Sequence, residues 1–64
     1  MLLTVNWNDG TEQWEVRQEC GYVVWSGELR REAIFYARDR EDDETDTVDR
    51  IIAYNRDGSV AWGN

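Results

Sequence analysis

The chain opens on an alternation of apolar and polar positions. Leu3, Val5 and Trp7 alternate with Thr4 and Asn6, and Trp14 and Val16 alternate with Gln13, Glu15 and Arg17. A period of two is that of a strand with one buried face. Between the two runs stands Asn8-Asp9-Gly10-Thr11. Asp-Gly favours a tight hairpin, because such turns need a positive φ that Gly adopts freely. A loop centred on Asp9-Gly10 sets Val5 opposite Trp14 and Leu3 opposite Val16. The apolar side chains then share one face. Thr4, Asn6, Gln13, Glu15 and Arg17 take the other, which is polar enough to face water.

Cys20-Gly21 predicts a second turn. Tyr22-Val23-Val24-Trp25 is a β-branched and aromatic run of strand length. It is apolar on both faces, as suits an inner strand or one partly covered on its second side. Ser26-Gly27 ends it. Ser26 offers a side-chain acceptor for a helix N-terminus, and Glu28 would sit in the first turn, where the helix dipole favours an acid.

A helix is predicted from Glu28 to Arg40. At about 100° per residue, Leu29, Ala33, Tyr36 and Ala37 form one stripe with Ile34 at its margin. Arg31, Glu32, Arg38 and Asp39 lie on the other side. Arg40 would project from the apolar stripe, so the packed part should stop just before it. Phe35 stands alone on the polar side. It either folds over its neighbours as an edge residue or anchors a partner or a second copy.

Residues 41–47 hold no apolar side chain and read as an acidic loop or frayed helix end. From Val48 to Asn55 a strand is expected, with Ile51, Ile52 and Tyr54 as its apolar content. Asp57-Gly58 turns it into Val60 and Trp62. A three-residue loop, 56–58, pairs Tyr54 with Val60 and Ile52 with Trp62, and puts Gly58 at the left-handed position of a bulged turn. The order β-β-β-α-β-β predicts an α+β fold: one antiparallel sheet with one helix on one face. No repeat or linker divides residues 1–64, and at roughly 100–200 residues per domain the length allows one domain.

Several of these residues form a familiar series. Trp14-Glu15-Val16 precedes a helix carrying Glu32-Ala33 and Ala37-Arg38. An apolar strand from Ile51 to Tyr54 follows, then Asp57-Gly58 and Val60. From Trp14 onward the chain resembles a small prokaryotic family known as domain of unknown function 2188. The resemblance implies the same fold and adds nothing about activity, since the family has no established one. The chain departs from the family in its acidic block, where the family carries more basic residues around the helix.

Composition changes the picture mainly through charge. The net charge is −7, and the block from Asp39 to Asp49 carries seven acids and one Arg, or −6, leaving −1 for the other 53 residues. The molecule is a nearly neutral domain with one acidic block. Nucleic acid and anionic membranes are disfavoured partners, because affinity for phosphates comes from Lys and Arg. A basic protein is favoured, and Asp42, Asp43, Glu44 and Asp46, with Phe35, are the candidate partner-binding residues. The block could also imitate a phosphate backbone and occupy the basic surface of a nucleic-acid-binding protein. Acids without Lys also fit salt adaptation, though that predicts acids over the whole surface rather than in one block.

Chemistry finds little support. The chain has no His and one Cys, which removes His-dependent triads, His metal sites, multi-Cys zinc sites and internal disulfides. A run of solvated carboxylates lacks the tuned, enclosed acid that general acid–base work needs. Asp42 to Asp46 has no central Gly and does not match the EF-hand pattern. Cys20, beside Glu19 and Gly21, has no sequence neighbour that stabilises a thiolate. Ser26 and Ser59 lack a base, and the scattered glycines form no phosphate-cradling loop. Four Trp in so short a chain are expected in the core, and without a basic groove they make a poor stacking platform. No apolar run approaches the roughly 18 residues of a membrane span, and the first residues lack the basic and apolar regions of a signal peptide. The expectation is a cytoplasmic, noncatalytic interaction or accessory domain without cofactor or metal, whose partner is a basic protein or, as a homodimer, itself.

Overall fold

The computed structural model describes residues 1–42 and 48–63. The elements run β1 (Leu2–Asn8), β2 (Gln13–Gln18), β3 (Val23–Gly27), α1 (Arg30–Asp42), β4 (Arg50–Tyr54) and β5 (Val60–Gly63). The five strands form one sheet in the order β3-β2-β1-β4-β5. The α+β class and the element order match the sequence reading. The sheet itself is mixed, not antiparallel. β1 pairs with β2, β2 with β3 and β4 with β5 in antiparallel fashion, but β1 and β4 run parallel. The helix explains the difference. It crosses β3, β2, β1 and β4 and returns the chain to the end of the sheet where β3 began. The strand after it therefore runs in the same direction as β3, and so parallel to β1.

The first hairpin keeps its predicted faces but not its register. Val5 pairs with Val16 and Trp7 with Trp14, around a four-residue loop from Asp9 to Glu12. Asn8 accounts for the longer loop. Its Oδ1 accepts hydrogen bonds from the amides of Gly10, at 2.9 Å, and Thr11, at 3.4 Å, a side-chain substitute for a backbone turn. Glu12 closes the loop at φ 54°, in the left-handed region. The indole Nε1 of Trp7 donates to Asp9.

The apolar run at 22–25 is not an inner strand. β3 is one of the two sheet edges, Tyr22 lies outside it, and Tyr22 and Val23 are exposed. A bulge resolves the two-sided pattern. Val16 pairs with Trp25 and Arg17 with Val23, so Val24 is the extra residue, and Val24 and Trp25 both pack against the core. The helix also starts later than predicted. Ser26 lies within β3 and caps nothing. The carbonyl of Leu29 instead accepts the first helical bonds, from the amides of Glu32 at 3.2 Å and Ala33 at 3.3 Å. Leu29 is 43% exposed and stands outside the buried stripe. Glu32, not Glu28, is the acid of the first turn. At the other end α1 continues through Arg40, Glu41 and Asp42. The stem of Arg40 stays half-buried, with its guanidinium 5.2 Å from the ring centroid of Tyr36, as a long basic side chain can lay its stem on apolar surface.

The core is Leu3, Val5, Trp14, Val16, Ala33, Ala37, Val48, Ile51 and Ala53. Parallel register sets Leu3 beside Ile51 and Val5 beside Ala53. Ala33 and Ala37, one helical turn apart, are fully buried, and their small side chains let α1 lie close on the sheet. Trp14 is the one tryptophan in the buried core. Trp7, Trp25 and Trp62 pack around it half-buried. Val48 is buried but precedes β4, so the strand is shorter than 48–55.

In the last hairpin Tyr54 pairs with Val60 as predicted, but Trp62 pairs with Ala53 and Ile52 with Gly63. Ala61 is the extra residue, and its bulge turns Trp62 to the core side. Gly58 takes φ 91°, as the bulged turn required. The turn is fixed by Asp57 Oδ1, which accepts from the Ser59 amide at 2.9 Å and hydroxyl at 2.7 Å. These bonds hold the Asp57 carboxyl below its ordinary value.

The open sheet face is less exposed than its polarity suggests. Glu15, at its centre, is only 7% exposed. Arg17 donates to its Oε1 through Nη2 at 2.7 Å and Nε at 3.0 Å, and Asn8 Nδ2 donates to Oε2 at 3.1 Å. Burial opposes the ionised carboxylate, but these hydrogen bonds and the Arg17 charge outweigh it and hold the Glu15 pKa below its ordinary value.

Candidate functional site

α1 presents Glu32, Phe35, Tyr36 and Asp39 at the spacing i, i+3, i+4, i+7, which places them on one face. Phe35 is 76% exposed, so it does not fold over its neighbours. Tyr36 lies half-buried at the boundary with β3, its ring stacked on Trp25 with centroids 6.2 Å apart and planes 26° apart. These residues line an open cleft of about 390 Å³ between the outer face of α1 and β3: Trp25, Glu32, Phe35, Tyr36 and Asp39. Three aromatic rings form its walls and two carboxylates stand at its helix side.

Local chemistry sets the cleft's shape. Pairing with Val16 puts Trp25 on the helix side of the sheet edge. Two residues on, Gly27 leaves room for the indole. A Cβ there would lie 2.5 Å from Trp25 Cη2, well inside contact distance. Asp39 Oδ2 accepts from Arg40 Nη2 at 3.2 Å. The Glu32 carboxylate makes no hydrogen bond or ion pair among the described residues. Both acids are exposed, at a site where a cation can reach them.

The sequence candidates fall in two groups. Phe35 is at the cleft. Asp42 closes α1, and Asp43, Glu44 and Asp46 lie outside the described residues. Among the described residues the cleft joins Phe35 to Asp39, the first residue of the acidic block. Sequence reasoning missed Trp25, Glu32 and Tyr36 as companions of Phe35. The heptad spacing of Glu32 and Asp39 around Phe35 was the available signal. Tyr36 had been assigned to the buried stripe, and it stands on its border.

Other features of the described residues hold structure together. Arg30 lies 5.5 Å over Trp14, with Nε and Nη2 shut from solvent and no hydrogen-bond partner. Arg56 lies 4.0 Å over Trp7. Together they clamp the Trp7–Trp14 pair by cation–π contact. A cavity of about 130 Å³ at the end of α1 is lined by Met1, Leu3, Gln18, Val24, Tyr36, Arg40 and Val48. Cys20 is exposed in its turn. No three metal-binding side chains cluster among the described residues, and no described helix is long and apolar enough to cross a membrane.

Comparison of the chain with protein-family models, with curated proteins and with solved structures finds no match.

Proposed function

We propose that this chain is a noncatalytic interaction domain that docks another protein on the α1–β3 face. The observation that carries the reading is Phe35, a large aromatic side chain 76% exposed at the rim of an aromatic cleft. Left in water, such a side chain forgoes about 1.5–3 kcal/mol of burial that a partner can recover. Aromatic side chains at the centre of a patch are what interfaces enrich.

A second copy suits this face less well than a different, basic protein. Around Phe35, Glu32 and Asp39 form one flank and Arg31 and Arg38 the other. An antiparallel symmetric pair of helices sets each flank against itself, acid on acid and Arg on Arg. A parallel pair matches the flanks but brings two acidic blocks, each of −6, to the same end. Both arrangements carry like-charge repulsion. A photo-crosslinking phenylalanine analogue at position 35 tests the reading in cells of the source organism. A crosslink to one identified protein is expected from position 35 and not from exposed Tyr22. A crosslink to the chain itself would instead establish the homodimer, and none from either position removes the docking reading.

The acidic block supports a second reading, in which it imitates a phosphate backbone on a basic protein. The concentration of seven acids within 39–49, beginning at a helix C-terminus where the dipole disfavours them, favours it. Replacing Asp42, Asp43 and Glu44 by their amides should then abolish binding to the crosslinked partner.

A further inference from the structure

We infer that the α1–β3 cleft receives an arginine side chain from a basic segment of the partner protein. The inference rests on the docking reading above and adds the chemistry of the occupant. Trp25, Phe35 and Tyr36 give a cation three aromatic walls, and Glu32 and Asp39 stand beside them. A ring face attracts a cation through its quadrupole, Trp most strongly. A neutral apolar group would use the rings but leave the Glu32 carboxylate unanswered. A phosphate or carboxylate would meet both acids with the wrong sign.

Arginine fits this lining better than lysine. Its flat, weakly hydrated guanidinium stacks on aromatic faces and still donates in-plane to carboxylates, whereas an ammonium gives up a tighter hydration shell. The cleft, at about 390 Å³, lies in the size range of roughly 300–1,000 Å³ that encloses small ligands. Glu32 and Asp39 lie seven residues apart, about 10.5 Å along a helix. An extended chain, at about 3.3 Å per residue, spans that distance in three residues. β3, which supplies Trp25, is an edge strand with one side unpaired. An extended segment can therefore run beside it with one arginine in the cleft and a second basic residue near the other acid.

The test is a titration of the whole chain with acetyl-Gly-Arg-Gly-Gly-Arg-Gly-amide at about 0.15 M salt, where long-range charge effects are screened beyond about 8 Å. The readout is the indole N–H resonance of Trp25 in a proton–nitrogen NMR spectrum. A saturable shift confined to Trp25, Phe35, Tyr36 and their neighbours is expected. The citrulline peptide, equal in shape but neutral, should bind about tenfold or more weakly, as should the lysine peptide. Glu32→Gln with Asp39→Asn should weaken binding by a similar factor. Asp42→Asn with Asp43→Asn and Glu44→Gln should change it less than about threefold, because the guanidinium is recognised by Glu32 and Asp39, which line the cleft. A native spectrum confirms that both acid-to-amide variants fold. Equal affinity for the citrulline or lysine peptide overturns the arginine assignment. So does a loss confined to the acidic-block variant, or no Trp25 shift at millimolar peptide. A position-35 crosslink landing on a nonbasic stretch of a partner would sink the inference and leave the docking face standing.

Discussion

The indole of Trp7 meets that of Trp14 edge to face across the first hairpin, with ring centroids 5.3 Å apart and planes 62° apart. The pair exists because the hairpin takes the register in which these two residues oppose each other. Arg56 over Trp7 and Arg30 over Trp14 extend it into a four-residue stack. It joins the last hairpin loop and the start of the helix to the first hairpin. Removing Trp14 altogether should cost about 3–5 kcal/mol. That is comparable to the whole stability of a chain this short, at about 0.05–0.15 kcal/mol per residue. The gentler test is a double-mutant cycle of Trp7→Leu and Trp14→Leu in urea. A coupling energy of about 0.5–1.5 kcal/mol is expected, and a value near zero would make the rings mere neighbours.

Glu15 predicts a pH dependence with a definite sign. Its folded carboxyl titrates below the ordinary value of 4.5. Its contribution is therefore complete above the unfolded pKa and is lost as pH falls through the lower, folded one. The raw curve sums over every acid of the chain. The difference between wild type and Glu15→Gln isolates the residue. At pH 7 the variant should be less stable by about 1–3 kcal/mol. The gap should close as pH drops from about 5 towards 3, in urea midpoints taken at each pH. A constant gap would mean that Glu15 contributes by packing and not by charge.

The faces of the first hairpin were legible because the alternation has a period of two. Moving the pairing by two residues exchanged Val5's partner, Trp14 for Val16, and left every side chain on its own face. The register was not legible, because Asn8 builds the loop with its side chain, and Asp-Gly alone points to a shorter one. The parallel pairing of β1 and β4 leaves no local signal, although a lone helix between two strands carries the implication. For the cleft, the exposure of Phe35 follows from the helical wheel. The position of Trp25 depends on its pairing with Val16 of β2, which no stretch of sequence announces.

The late start of α1 separates two leucine-sized questions on the same helix. Leu29 was expected in the buried stripe, but it stands before the first turn and is largely in solvent. Leu29→Ala should stay within about 0.5 kcal/mol of wild type. Ala37 is fully buried against the sheet. Ala37→Leu should cost about 1–3 kcal/mol, since the added methylenes lift the helix or force strained rotamers. Thermal unfolding of the two variants side by side checks both, and a costly Leu29→Ala would restore the earlier helix start.

Gly58 and Gly27 are both required, for different reasons, and the contrast bears on the cleft. Gly58 sits at φ 91° in open space, so Gly58→Ala strains the backbone and should lower stability by about 1–2 kcal/mol. Gly27 shows no left-handed φ. The three atoms nearest to a Cβ there all belong to the indole of Trp25, with Cη2 at 2.5 Å and Cζ2 at 2.8 Å. In strand backbone Ala is otherwise better than Gly by roughly 0.5–1 kcal/mol, which offsets part of the cost of displacing the ring. Gly27→Ala should therefore leave the fold nearly as stable as before while moving Trp25 off Tyr36. Nuclear Overhauser contacts between the two rings should weaken, and the arginine peptide should bind less tightly in the same samples. Should the ring contacts survive the substitution, the indole has room that the present geometry denies it, and Gly27 is not what shapes the cleft.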